Sequence, residues 1–248
     1  MFVRNARHWL RLLVYPGLDL HTRNRASLSR FWKTGVRDVL DAGSGNGYLS
    51  WLAYQSGARV VGMNYEQAQV EKAREFLLGF RKADPGRLRF EQRNLYDLPT
   101  ETRTFDEIIC WEVLEHLRRD GDVVKEFYRI LRPGGVLHLC CPYRLHPRHQ
   151  AEVLDVNETG GHVRPGYTAE DYRALLEPMG FRIDRVVGVG TNGVYQADKM
   201  LRTIRNRVGD LAALPLLPFA LPFVWLAKLD PPLPFSLYVR AVKPDDAS

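Results

Sequence analysis

The sequence predicts an α/β protein built on a doubly wound, mostly parallel seven-stranded sheet with a C-terminal antiparallel strand. Three observations predict it. Short apolar runs alternate with amphipathic stretches of helical length from Arg37 to Val189. A glycine-rich turn follows the first of those runs, and one more β-rich run, PFSLYVRAV, stands apart near the end of the chain. Strands that alternate with helices need crossover connections, and these make a parallel sheet covered on both faces. Such sheets bind ligands beyond the carboxyl ends of their strands, so chemistry is sought just after each apolar run.

In chain order, RDVLDA is the first strand, and a helix starts at about Gly47. ARVVGM is followed by the helical pattern EQAQVEKAREFLLGF, then come the strands RLRFEQ and FDEIICW. GDVVKEFYRILR has helical spacing, GGVLHLCC reads as a buried strand, and TAEDYRALLEPMGF leads into the strand RIDRVVGV. The 248 residues, 45% hydrophobic and 26% charged, suffice for one domain with a filled core. Within it, residues 1–35 form an N-terminal lid or amphipathic segment and 36–190 the core. Residues 191–234 are an apolar insertion and 235–243 the last strand.

The first strand runs directly into Gly43, Ser44, Gly45, Asn46 and Gly47. Glycines at alternate positions remove the Cβ atoms that keep a flat ligand off the backbone, and the helix that follows offers amide donors. Asp41 stands two residues before the first glycine, where a carboxylate can accept from a cationic amino group or from loop amides. A nicotinamide site spaces its glycines GxGxxG and seats a pyrophosphate on the helix start. The spacing here is GxGxG behind an acid.

This pattern resembles the first motif of the class I S-adenosylmethionine-dependent methyltransferases, and the likeness extends over about residues 36–190 and the last strand. It implies a Rossmann-like fold, S-adenosylmethionine as cofactor, and cofactor contacts at Asp41, Gly43, Ser44, Gly45 and Gly47. VVGMNYEQ places Asn64 where the family has an acid for the ribose hydroxyls, a departure shared with lipid and sterol branches, with Tyr65 beside it. Asn94 and Leu95 of the NLYDLP segment match the residues that meet the adenine edge, with Asp97 as an alternative acceptor. Trp111 falls where relatives place a residue over the cofactor, and Arg23 matches by spacing an arginine that reaches the cofactor from the N-terminal segment.

Methyl transfer is an in-line displacement, so orientation carries most of it, and a base is needed only for an acceptor that enters as a neutral hydroxyl. Glu112, Glu115 and His116 share a face if the segment after the fourth strand is helical. Three readings stand: His116 as general base, a structural role, or the Mg²⁺ ligands that ubiquinone-pathway O-methyltransferases carry as a matching Glu, Glu and His. Mg²⁺ is the less favoured, and no residue is assigned as a metal ligand. The loop after the fifth strand, with Tyr143, Arg144, His146, Arg148, His149, His162, Arg164 and Tyr167, is the candidate substrate wall, although each histidine singly suits a surface loop. His138, inside a strand, reads as a core histidine.

A net charge of +6 suits an anionic substrate, an anionic membrane surface or nucleic acid. The fourth strand ends in CWEVLEH, unlike the NPPY-like tetrapeptide of amino-group methylation on bases, so the expected acceptor is a small molecule, glycan or lipid-linked compound and not nucleic acid. Resemblance to quinone-pathway enzymes favours oxygen over nitrogen or carbon. Cys110, Cys140 and Cys141 lie in apolar runs, and residues 2–14 put Arg4, Arg7 and Arg11 among apolar positions in place of a continuous secretory stretch. The protein is therefore expected in the cytoplasm. The N-terminal stripe and the proline-broken run LAALPLLPFALPFVWLA, preceded by Lys199, Arg202, Arg205 and Arg207, add a peripheral contact with the inner face of the membrane.

Overall fold

A computed structural model describes residues 15, 17–98, 101–209 and 213–245. The amphipathic stripe at residues 2–14 lies outside the described residues. Two compact units divide the described residues: those within 31–187 and 236–245, and those within 15–30 and 188–235.

The larger unit carries β1 (Asp38–Ala42), α1 (Tyr48–Gln55), β2 (Arg59–Asn64), α2 (Gln67–Ala73), β3 (Leu88–Gln92) and β4 (Phe105–Trp111). It continues with α3 (Asp120–Ile130), β5 (Leu131–Pro142), α4 (Pro147–Gln150), α5 (Ala169–Leu176), β6 (Arg182–Val189, of which 182–187 belong to this unit) and β7 (Ser236–Val242). The sheet order is β3-β2-β1-β4-β5-β7-β6. β1 pairs in parallel with β2 and β4, β2 with β3 and β4 with β5, while β7 runs antiparallel to β5. This is the doubly wound sheet with a terminal antiparallel strand that the apolar runs predict. The order reverses between β1 and β4, so the loops after those two strands diverge and leave a crevice.

Local chemistry sets the boundaries. α5 begins with a reciprocal cap, the Asp171 amide donating to Thr168 Oγ1 at 3.2 Å and the Thr168 amide to Asp171 Oδ2 at 2.7 Å. The amphipathic α3 buries Val123, Val124, Phe127 and Ile130 and starts with Asp120 and Asp122, charges that favour a helix N-terminus. The expected helix EQAQVEKAREFLLGF forms as α2 and then widens into π-helical turns over Arg74–Phe80. Arg74, at the start of this segment, ties it to β3, its Nε donating to the Phe90 carbonyl at 3.0 Å.

His138 is a core histidine, as its strand position predicts. It is fully buried, with Nε2 3.1 Å from Glu107 Oε1 and Nδ1 2.8 Å from the Tyr238 hydroxyl. Burial pushes its pKa down, so the ring is neutral at pH 7, with Nε2–H donating to the carboxylate and Nδ1 accepting from tyrosine. All three cysteines are buried and free.

Among its described residues the smaller unit packs three α-helices: αN (Leu20–Arg25), αX (Asn192–Val208) and αY (Leu217–Trp225). Leu18, Leu20, Val194, Ala197, Leu201, Leu217 and Ala220 form its core. The Leu20 amide donates to Asp198 Oδ1 at 3.0 Å, and Thr191 caps αX by accepting from the Val194 amide at 3.3 Å. Among the described residues, no helix is long and apolar enough to cross a membrane.

Candidate active site

The glycine turn leaves β1 at the point where the sheet order reverses. Gly43 and Ser44 both donate their amides to the Met63 carbonyl at 2.8 Å, which ties the turn to the end of β2. Gly43 has φ +85, and a Cβ there would lie 2.2 Å from Val113 Cγ2. Glycine is thus required for the loop after β4 to close on the loop after β1. Gly45 also has a left-handed backbone, φ +52, but a Cβ there would meet nothing within 4 Å. The space beside Gly45 is an open cradle.

Asp41 is buried, and its Oδ2 accepts from Ser50 Oγ at 2.5 Å. Burial raises its pKa to about 6, with the Ser50 hydrogen bonds pulling the other way. Such a carboxylate gains from a cationic partner. Ser44 Oγ is buried with no hydrogen-bond partner among the described residues. An open glycine cradle, an orphaned hydroxyl and a desolvated acid suit a ligand with an ammonium group and no phosphate. Ser50 is a site residue that the sequence reading misses, and its signal is a hydroxyl in the first turn of the helix that follows the loop.

Asn64 ends β2, and its Oδ1 accepts from the Glu66 amide at 2.8 Å. One lone pair and the Nδ2–H₂ donors remain for ribose hydroxyls. Asn94 is exposed in a turn, with its Oδ1 accepting from the Tyr96 amide at 3.0 Å. The Arg93 amide donates to the Asn64 carbonyl at 3.0 Å, which brings the two asparagine-bearing turns together, with Leu95 half-buried beside them. The Tyr65 side chain is 75% exposed. Trp111 is buried at the end of β4, its ring 5.7 Å from that of Trp32 and 6.4 Å from that of Tyr238. Arg23 lies in the smaller unit, where its guanidinium donates to the Gly17 carbonyl at 3.0 and 3.1 Å and to the Tyr15 carbonyl at 3.4 Å. Those bonds occupy Nε and Nη2, so its part in holding a cofactor stays an expectation.

The expected shared face of Glu112, Glu115 and His116 does not form, because the segment is not an α-helix. Glu112 sits at φ +55, and only Leu114–His116 make a short 3₁₀ turn. The left-handed residue turns Glu112 away, with Ser236 Oγ donating to its Oε1 at 3.5 Å. His162 takes the third place instead: one ligand-type atom each from Glu115, His116 and His162 lies within 4.8 Å of the others. The His116 and His162 rings meet edge to face at 4.7 Å between centroids.

The loop that delivers His162 is held at both ends. The Val163 amide donates to the Glu115 carbonyl at 2.8 Å, and the Asp155 amide to the His162 carbonyl at 2.7 Å. Asp155 accepts from the amides of Asn157, Thr159 and Gly161 and from Thr159 Oγ1, bonds that hold its pKa at about 2. The proposed substrate wall is more engaged than expected. Arg164 pairs with Asp120, which also accepts from the Tyr167 hydroxyl at 2.7 Å, and Arg144 pairs with Asp171 at 3.0 Å. His149 is buried, and His146 caps α4 through its Nδ1. Sequence spacing does not reveal that residue 162 returns to residue 116, since the loop closes through backbone bonds.

An acid–glycine turn at the switch point, asparagine turns beyond β2 and β3, and the β7 reversal form the arrangement that the resemblance to class I S-adenosylmethionine-dependent methyltransferases implies. Residues 40–139 match the family described as "Methyltransferase domain". The chain is 31% identical over 163 residues to a "probable S-adenosylmethionine-dependent methyltransferase" of Mycolicibacterium smegmatis, 62% of this chain and 55% of that protein. It is 31% identical over 147 residues to the 27-O-demethylrifamycin SV methyltransferase of Amycolatopsis mediterranei, 57% of this chain and 53% of that one. The chain thus spans about half the length of these curated relatives. The fold is similar to a methyltransferase chain solved in complex with the Trm112 activator of Haloferax volcanii, at TM-score 0.63 and 18% identity, covering 98% of this chain and 95% of that one. Over residues 40–139 and in its fold the chain is similar to the class I S-adenosylmethionine-dependent methyltransferases, the family whose cofactor is S-adenosylmethionine. The expected exclusion of nucleic acid gains no support. A tRNA U34 carboxymethyltransferase of Methylococcus capsulatus is 36% identical over 104 residues, 42% of this chain and 31% of that protein.

Proposed function

We propose that the chain transfers a methyl group from S-adenosylmethionine to a hydroxyl oxygen of a small-molecule, glycan or lipid-linked acceptor. The observation that carries the reading is the meeting of Glu115, His116 and His162 in the turn after β4, just past the Val113 that packs on Gly43. When bound, the cofactor supplies an electrophilic methyl group on a sulfonium. Asp41 and the Gly43–Gly47 turn hold its amino-acid end, Asn64 and Tyr65 the ribose, and Asn94 and Leu95 the adenine, with Trp111 as a further contact. Their work is orientation.

A hydroxyl must lose a proton as it takes a methyl group. The Glu115–His116–His162 group is a set of titratable side chains in reach of the turn after β4 and able to favour that loss. Glu112, whose Oε1 accepts from Ser236 Oγ at 3.5 Å, stands outside this group. An amine that arrives neutral needs no such group, which ranks nitrogen acceptors second.

The test is transfer of labelled methyl to a host extract, separated into lipid, polar and polymer fractions. Label is expected in the lipid or polar fraction as a base-stable ether, and label confined to nucleic acid overturns the reading.

We place the acceptor near a lipid surface because αY exposes Phe219, Phe223 and Trp225, and Leu226 just past its end is exposed too. Arg205 and Arg207 in the last turn of αX precede this patch in the chain, and Lys228 follows it. An apolar, tryptophan-bearing helix between basic residues suits the anionic inner face of a membrane. The protein is expected to float with anionic vesicles, and replacing both Phe219 and Trp225 by Ser is expected to weaken binding more than about tenfold. Equal flotation of wild type and variant removes the membrane contact from this reading.

A further inference from the structure

We propose that Glu115, His116 and His162 form a binding site for a divalent transition cation of the zinc class. The site stands on the geometry alone, and only its use on an acceptor hydroxyl rests on the methyl-transfer reading above.

One ligand-type atom from each residue lies within 4.8 Å of the other two, close enough for all three to contact one ion after small side-chain shifts. Two imidazoles and a carboxylate match the donors that catalytic zinc sites use, with a position left for water or substrate. Magnesium demands oxygen donors and octahedral geometry, so this set disfavours it.

The surroundings orient the ligands. His116 Nδ1 lies 3.0 Å from the Gly161 carbonyl oxygen. A carbonyl only accepts, so Nδ1 carries the proton and Nε2 keeps its lone pair for a metal. Beside His162, Glu152 Oε2 lies 2.9 Å from Nδ1. No hydrogen bond joins them, so the contact is electrostatic and adds a second negative charge at the edge of the group. Glu115 is fully buried, which places its charge in a setting where water screens a cation weakly. The 155–161 turn, closed on Asp155, fixes both the Gly161 carbonyl and the approach of His162. The ligands are therefore held before any ion arrives.

A hydroxyl bound to such a cation releases its proton to solvent at lower pH than when free, and the metal–alkoxide oxygen is the nucleophile. This assigns His116 the role of ligand rather than base.

The test uses untagged full-length protein, dialysed against chelator and titrated with Co²⁺, Zn²⁺ or Mg²⁺ alone. About one Co²⁺ per chain is expected, with the visible absorption of a low-coordinate nitrogen–oxygen site, displaced by Zn²⁺ and not by equimolar Mg²⁺. His162→Ala is expected to abolish the band, and Glu152→Gln to weaken binding about 10- to 100-fold, with melting curves showing both variants folded. Wild-type protein that shows no band, or a band that His162→Ala and Glu152→Gln both leave unchanged, overturns the site. Cobalt bound without methyl transfer to any hydroxyl leaves the site standing and removes the acceptor reading.

Discussion

Asp41→Asn is expected to bind S-adenosylmethionine at least about 100-fold more weakly than wild type, and yet to melt at a higher temperature above pH 7. Both effects come from one buried carboxylate. Its pKa of about 6 against 3.8 means that the folded protein without ligand holds the neutral acid more readily than the unfolded chain does. Between about pH 4 and pH 6 the folded state binds more protons, so stability falls as pH rises through that window. Above it the whole deficit remains, about 3 kcal/mol at pH 7–8. Asparagine has no charge to desolvate and still accepts from Ser50 Oγ, so most of that deficit is relieved.

An ammonium beside Asp41 restores the value of the charge, which the amide cannot supply. Wild-type affinity should accordingly rise as pH climbs through about 6 and then level off, while the variant shows no such step over the range in which the ligand stays cationic. Calorimetry from pH 5 to 8 and melting curves at both ends check this. A variant that binds as tightly as wild type refutes the assignment of Asp41. One that binds weakly but melts lower at pH 8 refutes the account of its pKa.

The same residue shows what is legible in a sequence. The apolar runs are long-range consequences of burial on both faces of a parallel sheet, so β1 to β7 can be read from composition and spacing. The glycine turn is legible because a left-handed backbone and a close approach leave few alternatives to glycine. Asp41 is legible by position, but its Ser50 partner requires knowing that the first turn of α1 folds back over β1. The Glu112–Glu115–His116 face is misread for a local reason: helical spacing is assumed where Glu112 takes φ +55 and breaks the period. His162 is hidden for a topological one. Its place depends on the 155–161 turn and on the amide of Val163 reaching the Glu115 carbonyl, and neither leaves a periodic mark.

The second large effect lies at the other end of the strands, where Glu107→Ala is expected to cost about 3–5 kcal/mol of folding stability. Glu107 is 1% exposed and accepts from the Lys33 amide at 2.6 Å, from Arg37 Nε and from His138 Nε2 at 3.1 Å. Burial pushes its carboxyl pKa up, but His138, the Lys33 amide and Arg37 together pull it below the ordinary value, so the charge is favoured. Truncation leaves the Arg37 guanidinium, 4% exposed, without its carboxylate, and strands the donors of Lys33 and His138. For a chain of this size the loss amounts to a melting temperature lower by about 6–20 °C. Replacing Arg37 by Met as well should recover part of it, because the uncompensated charge is then gone. Glu107 pairs with Val39 near the start of β1, whereas the glycine turn follows the strand's end, so cofactor affinity measured below the melting transition should change less than about threefold. A melting shift under about 3 °C would show that the surrounding groups find other partners, and a large loss of cofactor binding in the folded variant would show that the network also sets the position of the turn.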